Sequence, residues 1–302
     1  AGGALNTACS AWHSDFAARA KALGYGLIVS LSYELFDAHC WNDWKQRAWN
    51  GNPALTGWSP PSALLSPAHS GAMAYLQAVA RAFMALATLA GHAPRFQVGE
   101  PWWWTMPDGR ICLYDDAAKA AFGGTPVEIP TIRSTTLTAA QKALLDAAGA
   151  LLAGSTAALV NAVRLDHPGC EALILVYLPT VLDAAAPDAK RANVPLGWAS
   201  PAFDVLQLED YDGVTTGNVG ATAHGVAAAE ARLGYPVSKQ HYLSGFVLLE
   251  TDRAQWRPID AATDAARKRG VAATFIWALP QVLRDGYTHF DLAEDDVQAF
   301  DD

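Results

Sequence analysis

The chain has 302 residues, 51% hydrophobic and 17% charged, with a net charge of −9 and a pI near 5.3. It is long enough for one large α/β domain or two of ordinary size, and too apolar for a disordered chain. The acidic balance and the lack of a dense Lys/Arg cluster argue against a nucleic-acid partner; Arg267-Lys268-Arg269 looks like a helix end favouring its own dipole.

The chain opens without Met, which fits a processed product or an excerpt of a longer polypeptide, and no signal peptide is seen. Residues 7–23 read as a first helix, followed by a strand over 25–33 (YGLIVSLSY) that ends on Tyr33 and Glu34. An irregular stretch over 34–66 carries Trp41, Trp44, Trp49 and Trp58. Ser66-Pro67 looks like the N-cap and first-turn proline of a helix running to about Ala90. The best apolar run, 72–90, is broken by Gln77 and Arg81, so it reads as a buried helix and no run is expected to cross a membrane.

A second strand, RFQVGE (95–100), leads into another irregular stretch, 101–136, with Trp102, Trp103, Trp104 and Tyr114. Thr138-Ala139-Ala140-Gln141 has capping-box spacing and starts a helix reaching toward Arg164. Four more strands follow: ALILVYLP (172–179), FDVLQLED (203–210), HYLSGFVLLE (241–250) and VAATFIWAL (271–279), with helices over 222–233 and 258–269. The strands are near-continuously apolar, which suits parallel strands buried on both faces. Strand and helix alternate without repeat or linker, so the expectation is a single α/β domain over 1–302. Both irregular stretches follow a strand, at the edge where parallel α/β folds place their active sites.

Several chemistries drop out early. Cys9, Cys40, Cys112 and Cys170 lie far apart with no C-x-x-C spacing, so neither a zinc site nor a disulfide scaffold is expected, and a single bridge stays open. No H-x-x-x-H pair, Gly-x-Ser-x-Gly elbow, phosphate loop or dinucleotide fingerprint is present. No metal and no cofactor are expected.

Few acids end an apolar run: Glu34, Glu100, Glu209 with Asp210, and Glu250. A retaining glycosidase needs two carboxyl groups roughly 5–5.5 Å apart. Glu100 and Glu250 end the second and fifth strands, and this placement resembles the clan A glycoside hydrolases. Those are (β/α)8 TIM barrels with an acid/base glutamate ending strand four and a nucleophile ending strand seven. The resemblance implies Glu100 as acid/base, Glu250 as nucleophile and Trp277 as the aromatic floor at strand eight. It also implies that strands one and two lie upstream of Ala1, with the opening helix as helix two. The clan's usual Asn-Glu-Pro is Gly99-Glu100-Pro101 here, which removes the side chain expected to bond the sugar 2-hydroxyl. The Gly-Glu pair is also similar to that of the inverting β-amylases.

Each residue has a plainer alternative. Glu100 could bond a neighbouring loop's backbone, and Glu250 could be an ordinary acid in the first turn of the next helix. Glu209, in QLEDYD, is the rival nucleophile, with Asp210 and Tyr211 beside it to bind sugar hydroxyls or orient a nucleophile; the same stretch also reads as a strand-end turn. Trp102, Trp103, Trp104 and Trp277 are placed to stack on pyranose faces. Three adjacent tryptophans cannot all face one pocket, so at least one belongs to the packing. Tyr33 and Glu34 line the same rim or serve the core and the loop cap.

A second likeness covers more of the chain. The runs GEPWWWTMPDGRICLYDDAAKAAFGG, LILVYLPTVLD, VPLGWASPAFDVLQLEDYDGVT and HYLSGFVL are similar to the TIM-barrel domain of phage and gene-transfer-agent tail proteins, including the non-contractile tail sheath type. It implies a glycoside-hydrolase-type barrel on a virion tail, or in the cytoplasm before assembly, that cleaves or binds a polysaccharide and meets other tail proteins. Two alternatives stand beside it: a structural tail component with an inactive barrel, and a free, extracellular retaining polysaccharide hydrolase.

Overall fold

The computed structural model describes residues 4–287. Helix α1 (Thr7–Ala22) precedes β1 (Val29–Leu31), and two short strands, β2 (Glu34–Phe36) and β3 (Ser62–Leu64), follow. Next come α2 (Ser70–Leu89), β4 (Arg95–Val98), α3 (Asp116–Ala121), α4 (Ala139–Asp166), β5 (Glu171–Tyr177), α5 (Pro179–Leu182) and α6 (Ala189–Asn193). The chain ends its described part with β6 (Val205–Glu209), α7 (Asp212–Thr215), α8 (Val219–Leu233), β7 (Gln240–Gly245), α9 (Trp256–Arg269), β8 (Ala273–Trp277) and α10 (Leu279–Asp285).

All six expected strands form, and they make one sheet in the order β1–β4–β5–β6–β7–β8 with every pair parallel. The sheet curls into a half-barrel, and among the described residues β8 does not pair with β1. An incomplete barrel is what the six-strand count leads to. The pair β2–β3 is a separate antiparallel ribbon inside the first irregular stretch, which the sequence did not announce.

Alternation along the strands divides the sheet into two faces. Phe96, Val98, Ala172, Ile174, Val176, Leu206 and Leu208 face the helices and join the main core with Leu76 and Met84 of α2 and Leu145, Leu152 and Leu159 of α4. Each Val, Leu, Ile, Phe or Met among them contributes about 1.5–3 kcal/mol by leaving water. The register puts Ser30, Gln97, Tyr177, Gln207, Glu209, Leu243 and Trp277 on the opposite, concave face. That face also carries Leu173, Leu175, Val205 and Phe275, and among these apolar residues, which fill closed barrels, it sets a row of polar ones. Ser30 Oγ donates to Gln97 Oε1 at 2.6 Å, Gln97 Nε2 donates to Gln207 Oε1, and Arg95 pairs with Glu171 at 3.1 Å.

Three local expectations need correction. The helix α2 starts at Ser70 and not at Pro67: residues 66–69 form a separate turn closed by the His69 N–H on the Ser66 carbonyl at 3.1 Å, and His69 is the N-cap, its Nδ1 accepting from Ala72 N–H at 3.2 Å. By length and composition alone, α2 and α4 are both apolar enough to cross a membrane, contrary to the expectation that no run is; here each lays one apolar face on the core. The strand expected over 241–250 stops at Gly245, where φ is +145° and a Cβ would sit 2.0 Å from the Trp277 carbonyl oxygen. Phe246 then takes φ +70°, so the apolar run VLLE leaves the sheet. The Thr138/Gln141 capping box forms as expected. All four cysteines are free thiols.

Candidate functional site

The site grows from the end of β4. Gly99 N–H continues the ladder to the Leu31 carbonyl at 3.0 Å, and a Cβ at Gly99 would lie 2.7 Å from Ser30 Oγ. Only glycine passes at that distance without a shift. Glu100 then adopts φ +48°, a left-handed conformation that costs a non-glycine residue roughly 1–3 kcal/mol and tends to persist at functional positions.

Three carboxyl groups meet at this rim. Burial, followed by the Glu34 charge, pushes Glu100 up to about 7. Glu209 ends β6, is 3% exposed, and its Oε2 has no hydrogen-bond partner. Burial pushes it up to about 8, with the charges of Glu100 and Asp212 adding to the effect. Glu34 comes in on the β2–β3 ribbon; burial raises its pKa and the Ser62 hydroxyl opposes the rise. Such clustered acids cannot all be ionised at neutral pH, so the rim holds a proton-bearing carboxyl beside an ionisable one.

A file of rings borders the acids. Trp102 meets Tyr177 edge-on at 6.2 Å, Tyr177 lies 5.1 Å from Tyr211, Tyr211 lies 4.1 Å from Phe246, and Phe246 stacks on Trp277 at 5.8 Å. Trp277 is 50% exposed, so its outer face is open to a ligand. The rings of Tyr211 and Phe246 cover each other and form a wall.

The other expected site residues lie elsewhere. Trp103 is fully buried, its Nε1 donating to the Ala148 carbonyl at 3.0 Å and its backbone clasped by Asn193; it is a core residue. Trp104 packs with Trp102 and Met106 on a small cluster around Ala48, Ala54, Leu64 and Cys112. Tyr33 is buried against α4 through a 3.0 Å hydrogen bond with Ser155. Asp210 accepts from Thr222 at 2.6 Å and Tyr242 at 2.9 Å, tying β6 to β7 and α8 on the helix side. Glu250 does not end a strand: it opens a 3-10 turn (Glu250–Gln255), exposed and 3.6 Å from Arg253. The clan spacing depended on that strand end, so the structure brings Glu209, and not Glu250, to Glu100.

Sequence reasoning passed over Tyr177 and Phe246. Tyr177 sat inside a run expected to continue to Pro179, where the strand pleat puts it on the concave face beside Glu209; Phe246 sat inside one expected to continue to Glu250, and the break at Gly245 just before it turns its ring into the rim. Among the described residues no group of three or more His, Cys, Asp or Glu side chains is arranged to hold a metal ion.

The family model of the non-contractile tail sheath protein TIM barrel matches residues 1–287. No curated protein matches the sequence. Among solved structures, the PgaB (BpsB) glycoside hydrolase domain from Bordetella bronchiseptica is similar at 13% identity, with a TM-score of 0.55 over 86% of this chain and 72% of that one. The glycoside hydrolase domain of PelA from Pseudomonas aeruginosa matches at 12% identity with a TM-score of 0.43, over 88% of this chain and 84% of that one. The first likeness is one of fold.

Proposed function

The chain belongs to the non-contractile tail sheath protein TIM-barrel family, and from that premise we propose that it is a tail component that cleaves a polysaccharide at the Glu100–Glu209 pair. The observation that carries this reading is the pair itself: a half-buried Glu100 just past β4 and a buried Glu209 at the end of β6, on one rim, the latter with an unpartnered oxygen. A protonated member can give its proton to a glycosidic oxygen. The ionised member then offsets the positive charge that develops on the sugar ring. Removal from water strengthens both interactions. Trp277 offers an exposed ring face for a pyranose, and the acids leave the rim suited to a neutral or basic glycan rather than an acidic one. Virion association and contacts with other tail proteins follow from the family as parts of the same proposal.

The test is hydrolysis of a panel of bacterial surface polysaccharides by the chain and its variants. Glu100→Gln and Glu209→Gln should each lower product release by at least ~10²-fold, while Glu250→Gln leaves it within about 2-fold. Hydrolysis that survives Glu100→Gln would sink the assignment.

One observation favours a second reading, a barrel kept as a scaffold or glycan-recognition module without turnover. Gly99 carries no side chain to meet a sugar 2-hydroxyl, and the Ser30 hydroxyl leaves no room for one. Glycan binding without cleavage, indifferent to Glu100→Gln, would select it.

A further inference from the structure

The run VLLE that leaves the sheet after Gly245 has no part in the reading above. Val247 is fully buried in a small core with Trp256 and Ile259. From α10, Arg284 fixes the loop, donating from Nη2 to the Val247 carbonyl at 3.0 Å and from Nη1 to the Leu248 carbonyl at 2.9 Å. Leu248 and Leu249 are each 62% exposed on this held backbone, and Glu250 follows them into solvent. Its ion partner among the described residues is Arg253, at 3.6 Å and itself exposed to water. Two adjacent exposed leucines and an acid, on a loop held from both sides, form a knob organised in advance for a partner.

A surface of the opposite character lies on the outer helices. A cleft of about 410 Å³ opens between α4, α6 and α8, lined in part by Lys190, Arg191, Leu196 and Arg232. Its acids are already matched by bases. Arg191 Nη1 donates to both Asp146 oxygens at 2.9 and 3.0 Å, its Nε donates to Asp188 at 2.7 Å, and Lys142 lies 3.4 Å from Asp188. The half-buried Arg232 donates to two backbone carbonyls, of Val194 at 2.6 Å and of Lys190 at 3.1 Å. Among the described residues neither Lys190 nor Arg232 has a carboxylate partner. The cleft therefore carries surplus positive charge on a chain whose net charge is −9, and Leu196, 65% exposed, gives it an apolar lip.

We propose that the Leu248–Glu250 knob of one copy of this chain docks in the Lys190–Arg232 cleft of a second copy. The leucines cover Leu196, and the Glu250 carboxylate meets the two unpaired bases. Charge complementarity selects this occupant, because knob against knob would leave those bases unanswered. Knob and cleft share no residue, so the contact is head-to-tail. Every joined pair keeps one free cleft and one free knob, and further copies add in a row or close a ring. The proposal needs nothing of the Glu100–Glu209 pair, so assembly and hydrolysis stand or fall separately.

Sedimentation velocity of the whole chain tests it. The native chain should grow past a dimer as its concentration rises from micromolar to submillimolar at low salt. It should return toward monomer in about 1 M NaCl, where the screening length is only about 3 Å. Lys190→Glu and Glu250→Lys should each raise the dissociation constant about tenfold or more. Mixing the two variants should restore assembly, because each reversed charge finds its opposite and every second contact is the native one. That recovery also shows that both variants are folded. A native chain that stays monomeric overturns the proposal. So does a mixture that stays dispersed, and so does a closed dimer indifferent to Lys190→Glu, which would place the contact at the leucines alone.

Discussion

Glu209 carries a cost that its neighbours do not relieve, since its Oε2 is buried without a donor and its closest charges are those of other acids. Its value of about 8 in the folded chain lies above the ordinary 4.5. Folding therefore takes up a proton between those limits, and stability falls as the pH rises through that window. Below about 4.5 both states are protonated and the cost is absent; above about 8 it is complete. Glu209→Gln should accordingly stabilise the chain by on the order of 3 kcal/mol at pH 9 and by almost nothing at pH 4, as urea midpoints at the two values would show. An equal gain at both would mean the glutamine improves packing and that Glu209 bears no ionisation cost. The two acids were legible in the sequence because each ends an apolar run. Their partnership was read only as the rival to Glu100 with Glu250, because adjacency between β4 and β6 across β5 is a property of the curled sheet and no spacing in the chain encodes it.

At the scale of elements, β7 shows where apolar patterning misleads. The run HYLSGFVLLE is apolar through its end, so a strand to Glu250 is the natural reading. The break comes from Gly245, whose hydrogen-only side chain lets the Trp277 carbonyl approach and lets Phe246 N–H bond to it at 3.0 Å. That close approach turns Phe246 toward the rim, carries Val247 into a small core with Trp256 and Ile259, and leaves Glu250 outside. Gly245→Ala should cost on the order of 3 kcal/mol or more, because strain and a backbone clash add. Gly234→Ala is the matched control: it also has a positive φ, +71°, but open space around its Cβ position, so about 1 kcal/mol is expected. Similar losses for both in thermal unfolding would place the whole effect in φ and remove the steric account of the strand end. The capping box at Thr138, by contrast, was readable outright, since both of its hydrogen bonds lie within four consecutive residues.

At the scale of the molecule, the sheet's openness should be its weakest feature. The strands β5 and β6 are paired on both sides and almost wholly buried, with the cores of α2 and α4 above them. Among the described residues, β1 and β8 each pair on one side only, and none of their side chains is fully buried. Their bordering helices expose apolar side chains: Trp12 and Phe16, stacked at 5.5 Å on α1, and Leu279 and Leu283 on α10. A one-sided strand opens by breaking a single ladder, whereas an inner strand opens only when the core is exposed. Native-state hydrogen exchange should therefore find the amides of β5 and β6 opening only with global unfolding and those of β8 opening locally, at a free energy several kcal/mol lower. The site spans this gradient, with Glu209 on the rigid inner strand and Trp277 on the mobile edge. A ligand stacked on Trp277 while bonded to Glu209 would join the two, and β8 protection should rise on its binding more than that of β5. Equal protection of β5 and β8 in the free chain would mean that the edge is held by contacts other than its ladder, and Trp277 would then be as fixed as the acids it faces.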